Sequence, residues 1–323
     1  MCDIYAEEIL LFGVLVADEK MSNTATFGHG LISLIGRQRS MEDSFTVFPN
    51  LVQLTGDDKQ AADKEETAYD FFAVFDGHGG HKVSHKCRER LHYLVAEEVA
   101  ARGGWRDVDW DSVMSTSFSR MDVEVAEAGV VAACGNNNRS ITRTVGSTAL
   151  VVVIGKEVIV VANCGDCRAV LFRDGAPFPL SRDHKPERPD EKQRVEAAGG
   201  KVVEYLDCSR VLGVLSTSRS IGDYNLKPYM TSEPEVQICK RGPTDEFMVI
   251  ATDGLWDVLA NETVCDLVRK CFYGKVSKKV LQEVHGNCSA AAATMLAELA
   301  IARGSNDNIS VIVVQLQSFE AST

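Results

Sequence analysis

The sequence predicts an α+β fold: two antiparallel sheets packed together, with helices outside them. Three observations predict it. Short apolar, β-branched stretches recur along the chain, several joined by tight-turn dipeptides. Helical patterns fall in separate blocks, so the regular crossovers of a parallel sheet are missing. A chain of 323 residues with 45% hydrophobic and 25% charged residues has ordinary globular composition and enough length for a sizeable core.

Taken in order, the apolar run 9–17 is too short to span a bilayer. It follows Glu7 and Glu8 rather than a basic region, which argues against a signal peptide. It reads as an edge strand or a leader outside the core. Residues 30–36 form a first short strand, and 69–75 an aromatic, β-branched one that stops at Asp76-Gly77. From 80 to 102, Val83, Cys87, Leu91, Leu94, Val95 and Val99 keep a helical spacing, and 110–128 is a second helical block. Runs 148–154 and 158–162 make a hairpin about Gly155-Lys156-Glu157. Runs 168–172 and 176–180 flank Asp174-Gly175, a strong tight-turn signal. A polar helix at 190–198 halts at Gly199-Gly200. Strand 247–251 follows, then a helix from an Asn261 cap to about 273. An Ala/Leu-rich helix over 289–303 leads to the last strand, 309–316. Stretches 55–68 and 134–140 read as surface loops. No internal repeat is present.

The net charge is −12, from 46 acids and 34 bases. That field repels nucleic-acid backbones and anionic lipid, so neither nucleic acid nor a membrane is the expected partner. An acidic protein that handles a phosphate must neutralise it locally, with Arg or metal. Ten scattered cysteines follow no secreted framework and read as reduced thiols of a cytoplasmic or nuclear protein. Cys164 and Cys167 have redox or zinc spacing but no matching second pair, and read as small residues in a turn.

Several acids sit where strands end. Asp76 closes one apolar strand and Asp253 another, Asp307 directly precedes the last, and Glu42-Asp43 follow the first. Hard dications take a few carboxylates plus waters, and a glycine beside a ligand lets its own carbonyl approach. Two such ions clamp a phosphate and activate water at neutral pH.

Seven motifs occur in one order: M-E-D at 41–43, D-G-H-G-G at 76–80, V-G-S-T at 145–148, N-C-G-D-C-R-A at 163–169, S-R-S-I-G-D at 218–223, D-G-L-W-D at 253–257 and S-N-D-N-I-S at 305–310. The set resembles the metal-dependent protein Ser/Thr phosphatases of type 2C over about 28–316. D-H-K-P-E-R-P-D-E at 183–191 and L-K-P-Y at 226–229 resemble the plant group A branch that acts in abscisic acid signalling. The resemblance implies a four-layer α/β/β/α sandwich, with a leader at 1–27, a tail at 317–323, and a flap at about 186–233 where substrates and regulators dock. It implies two Mg²⁺ or Mn²⁺ ions on Glu42, Asp76, the Gly77 carbonyl, Asp253 and Asp307, with Asp43 acting through water and Asp76 bridging. A metal-activated hydroxide would attack phosphoserine or phosphothreonine, and His78 would protonate the leaving oxygen. Protein kinases are the implied substrates. Gly79, Leu206, Arg210 and Ser220 are the implied regulator contacts.

Other residues read structurally. Ser147 and Thr148 bond the backbone at a strand start, and Asp166 and Arg168 form a turn. Asp223 and Asp257 either support a neighbouring ligand from behind or cap a helix. Trp110 and Trp256 pack.

Three positions depart from the family pattern. Gln38 stands where relatives carry the phosphate-holding Arg. Arg37 and Arg39 flank it, and strand alternation would turn both away from the face that Gln38 shares with Glu42. Arg143 replaces an acid associated with a third metal, so no third ion is expected. Leu206 replaces a flap Trp, so a weakened response to abscisic acid receptors is expected. A catalytically weakened binding module and a metal-dependent phosphodiesterase are the competing functions. Gln38 favours the first and the carboxylates alone permit the second.

Overall fold

The computed structural model describes the backbone of residues 13–14 and residues 27–55, 68–129, 144–206, 208–273 and 287–317. Most of the leader, the expected loop 55–68 apart from its ends, the whole of the expected loop 134–140, Arg143, and the tail after residue 317 lie outside them.

One sheet has the order β1 (Gly13–Val14), β2 (His29–Leu34), β16 (Ile309–Gln315), β15 (Asp245–Ala251), β9 (Arg168–Arg173), β10 (Ala176–Pro179). The other runs β14 (Glu235–Lys240), β8 (Val158–Cys164), β7 (Ala149–Ile154), β4 (Asp70–Phe75), β3 (Ser44–Phe48). Every pairing in both is antiparallel. The run at 9–17 thus contributes a two-residue edge strand.

The period of two sorts β4 between layers. Phe72 and Val74 face the other sheet and pack with Leu150, Leu171, Ile250 and Ile312. Phe71, Ala73 and Phe75 face outward onto α1 (Lys82–Ala101) and α2 (Trp110–Glu127), meeting Leu91, Leu94 and Phe118. On the opposite side Val249, Val311 and Val313 meet Val268 and Leu296 of two helices, Asn261–Phe272 and Cys288–Ala302. With both faces of each sheet covered, the strands read as unbroken apolar runs. The result is the α/β/β/α sandwich expected. Asp174 and Gly175 both take positive φ, 53° and 77°, as a tight hairpin requires. Asn261 is not the cap of its helix: Ala260 holds that position, and the Asn261 amide oxygen instead accepts from Arg168 at 2.9 Å.

The flap carries α3 (Pro189–Ala197) and a hairpin of β11 (Val202–Glu204) and β12 (Ser209–Val211). Val195, Val202, Val211, Leu226 and Met230 give it a hydrophobic cluster of its own. Among the described residues no helix is long and apolar enough to cross a membrane.

Antiparallel register brings many strand termini to one end of the sandwich. Ser44 pairs with Phe75, Ala149 with Cys164, Ala251 with both Val311 and Arg168, and Leu34 with Ile309. The site lies at that end.

Candidate active site

A cleft of about 220 Å³ opens there, lined by Gln38, Glu42, Asp76, Gly77, His78, Asp166, Asp253 and Asp307, among others. Oxygens of Asp76, Asp166 and Asp253 lie within 4.8 Å of one another. The backbone holds them close. The Asp76 N–H donates to Thr148 Oγ1 at 3.0 Å, and the Thr148 N–H returns to the Asp76 carbonyl at 2.9 Å. Gly254 sits so near the Asn308 carbonyl that a Cβ would lie 2.0 Å from it, so only glycine lets the Asp253 and Asp307 strand ends meet. The Asn308 side chain accepts from the Glu42 N–H at 2.8 Å and donates to the Ile35 and Ser40 carbonyls, tying the 35–42 turn to β16.

The electrostatics are those of an uncompensated cluster. Burial, then the neighbouring Asp253, Asp43, Asp166 and Asp307, push Asp76 well above the carboxylate range. Asp253 is raised by burial and by Asp166 despite Lys185, whose ammonium reaches Asp166 at 2.8 Å, Asp257 at 3.4 Å and Asp253 at 3.7 Å. Asp43 is fully enclosed behind the cleft. Its Oδ2 accepts from Thr252 at 2.9 Å and Ser310 at 2.8 Å, but burial outweighs these bonds and lifts it to about 7. The carboxylate oxygens of this cleft, with Lys185 beside them, fit hard dications such as Mg²⁺ or Mn²⁺. His78 faces the cleft, and its Nε2 meets Asp223 Oδ2 at 2.7 Å. Burial opposes its charge, but the Asp223 carboxylate wins and raises it above the ordinary histidine value.

Residues 27–309 match the protein phosphatase 2C family. This chain belongs to that family. It is 48% identical to Probable protein phosphatase 2C 8 of Oryza sativa subsp. japonica, over 93% of this chain and 77% of that protein. It is 45% identical to Probable protein phosphatase 2C 78 of Arabidopsis thaliana, over 90% and 72%. A serine-threonine phosphatase 2C from Toxoplasma gondii shares the fold, with a TM-score of 0.70 at 23% identity, over 94% of this chain and 99% of that one. The cleft is therefore that of a protein phosphatase.

Within the phosphatase, most of the residues singled out from sequence converge. Glu42, Asp76, Gly77, His78, Gln38, Asp253 and Asp307 share the cleft, with Asp43 behind it. Others do not. Residues 35–41 form a turn rather than a strand, so alternation is not what sorts Arg37, Gln38 and Arg39. Arg37 turns away to the Ser305 and Ile301 carbonyls, both at 3.2 Å, at the end of the last helix. Arg39 is exposed and is not part of the cleft wall. Gln38 is on the wall, its amide donating to Asp307 at 3.3 Å. Ser220 is fully buried with its hydroxyl on Asp223 at 2.5 Å, which removes it from the regulator surface. Gly79 is exposed in a left-handed turn, φ 70°. Arg210 donates to the Val214 carbonyl at 2.8 Å, and Leu206 stands wholly exposed at the hairpin end.

Asp166 sits in the turn between β8 and β9, as expected, and its carboxylate does more than turn the chain: it joins Asp76 and Asp253 in the acidic cluster. The signal was available: Gly165-Asp166 follows the end of β8 as Asp76-Gly77 follows β4. Arg168 forks onto Asp183 at 2.6 and 2.9 Å. Cys164 and Cys167 are buried free thiols with different partners, the Thr231 carbonyl and the Thr148 hydroxyl.

Proposed function

We propose that this protein is a Mg²⁺- or Mn²⁺-dependent phosphatase acting on phosphoserine and phosphothreonine in proteins. In this reading it opposes a Ser/Thr kinase in plant hormone or stress signalling, in the cytoplasm or nucleus. The observation that carries it is the convergence of Asp76, Asp166, Asp253, Asp307 and Glu42 on one cleft beside His78. Left to itself that cleft repels a phosphate dianion, so catalysis needs cations. Asp76, Asp253, Asp307, Glu42 and the Gly77 carbonyl are the residues that would hold two of them. Such ions, when bound, neutralise phosphate oxygens and acidify water. The chain does the rest. Thr252 and Ser310 fix Asp43, and Asn308 fixes the turn that presents Gln38. The Gln38 amide hydrogen-bonds the phosphate, and His78 hands a proton to the departing serine or threonine oxygen.

Phosphate release from a phosphopeptide and from p-nitrophenyl phosphate, with Mn²⁺ and with EDTA, tests this. Release that requires Mn²⁺ is expected. No release with Mn²⁺ present would leave the binding-module reading, and turnover of bis(p-nitrophenyl) phosphate in preference to the monoester would leave the phosphodiesterase.

The abscisic acid branch is supported by the 183–191 and 226–229 motifs. Leu206, 109% exposed, stands where that branch carries an indole. Leucine offers apolar area but no donor. Losing an aromatic anchor costs about 2–4 kcal/mol, so hormone-loaded receptors should inhibit this protein roughly thirty- to thousandfold less tightly than its relatives. Leu206→Trp should recover part of that. Half-inhibition of the unmodified protein at stoichiometric receptor would overturn it, and loss of that inhibition in Tyr205→Ala would name the half-exposed neighbour Tyr205 as substitute.

A further inference from the structure

We infer that Asp223 is a positioning residue for His78, holding the ring so that Nδ1 is the nitrogen left to serve the substrate. The inference rests on the reading of His78 as proton donor. Asp223 is 1% exposed, on the turn after β13 (Ile221–Gly222). Its Oδ2 takes both the His78 ring, at 2.7 Å, and the Ser220 hydroxyl, at 2.5 Å. Nothing else among the described residues bonds the carboxylate: Oδ1 is buried without a partner.

Three features show that the surroundings are arranged around this contact. Asp223 is held at φ 47°, a left-handed conformation that non-glycine residues seldom keep unless neighbours impose it. The neighbours do so: its N–H donates to the Val145 carbonyl at 3.1 Å, and the preceding Gly222 N–H donates to the buried Asp122 carboxylate at 2.9 Å. At Gly146 a Cβ would lie 2.3 Å from Asp223 Oδ2 and 2.7 Å from His78 Nε2, so a side chain there would wedge the pair apart. No cap explains the Asp223 side chain, since it makes no capping bond to the turn that follows.

The chemistry follows from the geometry. With Nε2–H donating to a fixed carboxylate, the imidazolium presents Nδ1–H alone. As an attacking water oxygen bonds to phosphorus and the P–O bond to the substrate serine breaks, the Nδ1–H bond breaks and an O–H forms on the leaving oxygen, while the phosphate carries off the water's protons. The ring is left neutral with Nε2–H still on Asp223, which remains a carboxylate throughout. A serine alkoxide needs that proton; p-nitrophenolate departs without it.

The test is kcat and KM of the Mn²⁺-loaded protein on a phosphoserine peptide and on p-nitrophenyl phosphate, for Asp223→Asn, His78→Asn and the double variant. General acids contribute about 10²–10⁴-fold. For Asp223→Asn the ratio of peptide kcat to p-nitrophenyl phosphate kcat should fall at least about thirtyfold, with the loss in kcat rather than KM. The double variant should be no worse than His78→Asn, because the two act as a unit. An equal loss on both substrates in Asp223→Asn, with His78→Asn changing the ratio, would overturn the positioning role and leave the proton-donor reading standing. No ratio change in His78→Asn would sink that reading itself. If Asp223→Asn does not fold, Gly146→Ala separates the same pair, and an unchanged ratio there overturns the inference.

Discussion

Two acidic side chains in this protein, Asp253 part-buried at the cleft and Glu191 buried at the root of the flap, are shifted in opposite directions by their surroundings. Asp253 is pushed well above the carboxylate range, by burial and then by Asp166, with Lys185 only partly offsetting them. Glu191, 1% exposed, also faces the penalty of burial, but bonds from Arg219, Arg194 and Ser218 outweigh it and bring it down to about 2. Burial therefore does not decide the charge; the supply of partners does. The flap root is finished by its own chain, with Arg219 at 2.6 Å and Arg194 at 2.9 Å from Glu191. The cleft has five acidic side chains on its wall, and Lys185 is the ammonium that reaches into them. In the proposed function it is completed by cations from outside.

The largest expected effect breaks the cleft. If Asp253 holds a dication as proposed, Asp253→Asn removes a donor from it, and several kcal/mol of charge stabilisation is roughly a thousandfold in rate. The same change removes a like charge from the metal-free cluster. Activity with Mn²⁺ should therefore collapse, while the melting temperature in EDTA rises and the gain on adding Mn²⁺ shrinks. Wild-type turnover, or a lower melting temperature in EDTA, would mean that the carboxylates are compensated after all.

At the flap the sign reverses. Glu191→Gln leaves two arginines half-satisfied in a buried place, and breaking such a pair costs about 3 kcal/mol. Because the folded carboxyl is depressed, its stabilisation is fully present above the ordinary 4.5 and is lost as pH falls from there toward about 2. Urea unfolding at pH 7 should show the variant less stable. Between pH 4.5 and 2.5 its stability should fall less steeply than wild type. Parallel slopes would show that Glu191 does not govern the flap in acid.

How far the sequence disclosed this contrast depends on what each part is made of. The sandwich was legible because strands covered on both faces leave unbroken apolar runs, as at Phe71–Phe75, and because turns such as Asp174-Gly175 punctuate them. β14 was not, since Glu235–Lys240 is a half-exposed edge strand with a mixed pattern. β3 hid for a similar reason, only Ser44 and Thr46 being well buried along it. Asp76, Asp253 and Asp307 were legible from their places at strand ends, and Asp166 obeyed the same rule without being counted. Arg37 and Ser220 could not be placed from spacing. A helix end 264 residues away takes one, and the inward turn of Asp223 takes the other. The Glu191 knot was equally out of reach, because Arg219 comes from 28 residues further along the chain.

Gln38→Arg carries the flap's solution into the cleft and has the smallest expected effect. Gln38 already spends one amide N–H on Asp307 at 3.3 Å, and a neutral amide lacks the charge-assisted, forked grip of a guanidinium on phosphate. The gap between neutral and charged hydrogen bonds is about 1–2 kcal/mol, so KM for a phosphopeptide should fall roughly five- to thirtyfold in the Mn²⁺-loaded protein. The same arginine has a competing partner in Asp307, which no cation neutralises in EDTA. The substitution should therefore stabilise the metal-free protein as well, as Arg219 stabilises Glu191, and should raise the Mn²⁺ concentration needed for half-maximal activity. A lower KM with unchanged Mn²⁺ demand would mean that the new arginine ignores Asp307 and faces only the phosphate. An unchanged KM with a raised Mn²⁺ demand would mean that it has closed the site as Glu191 closes the flap.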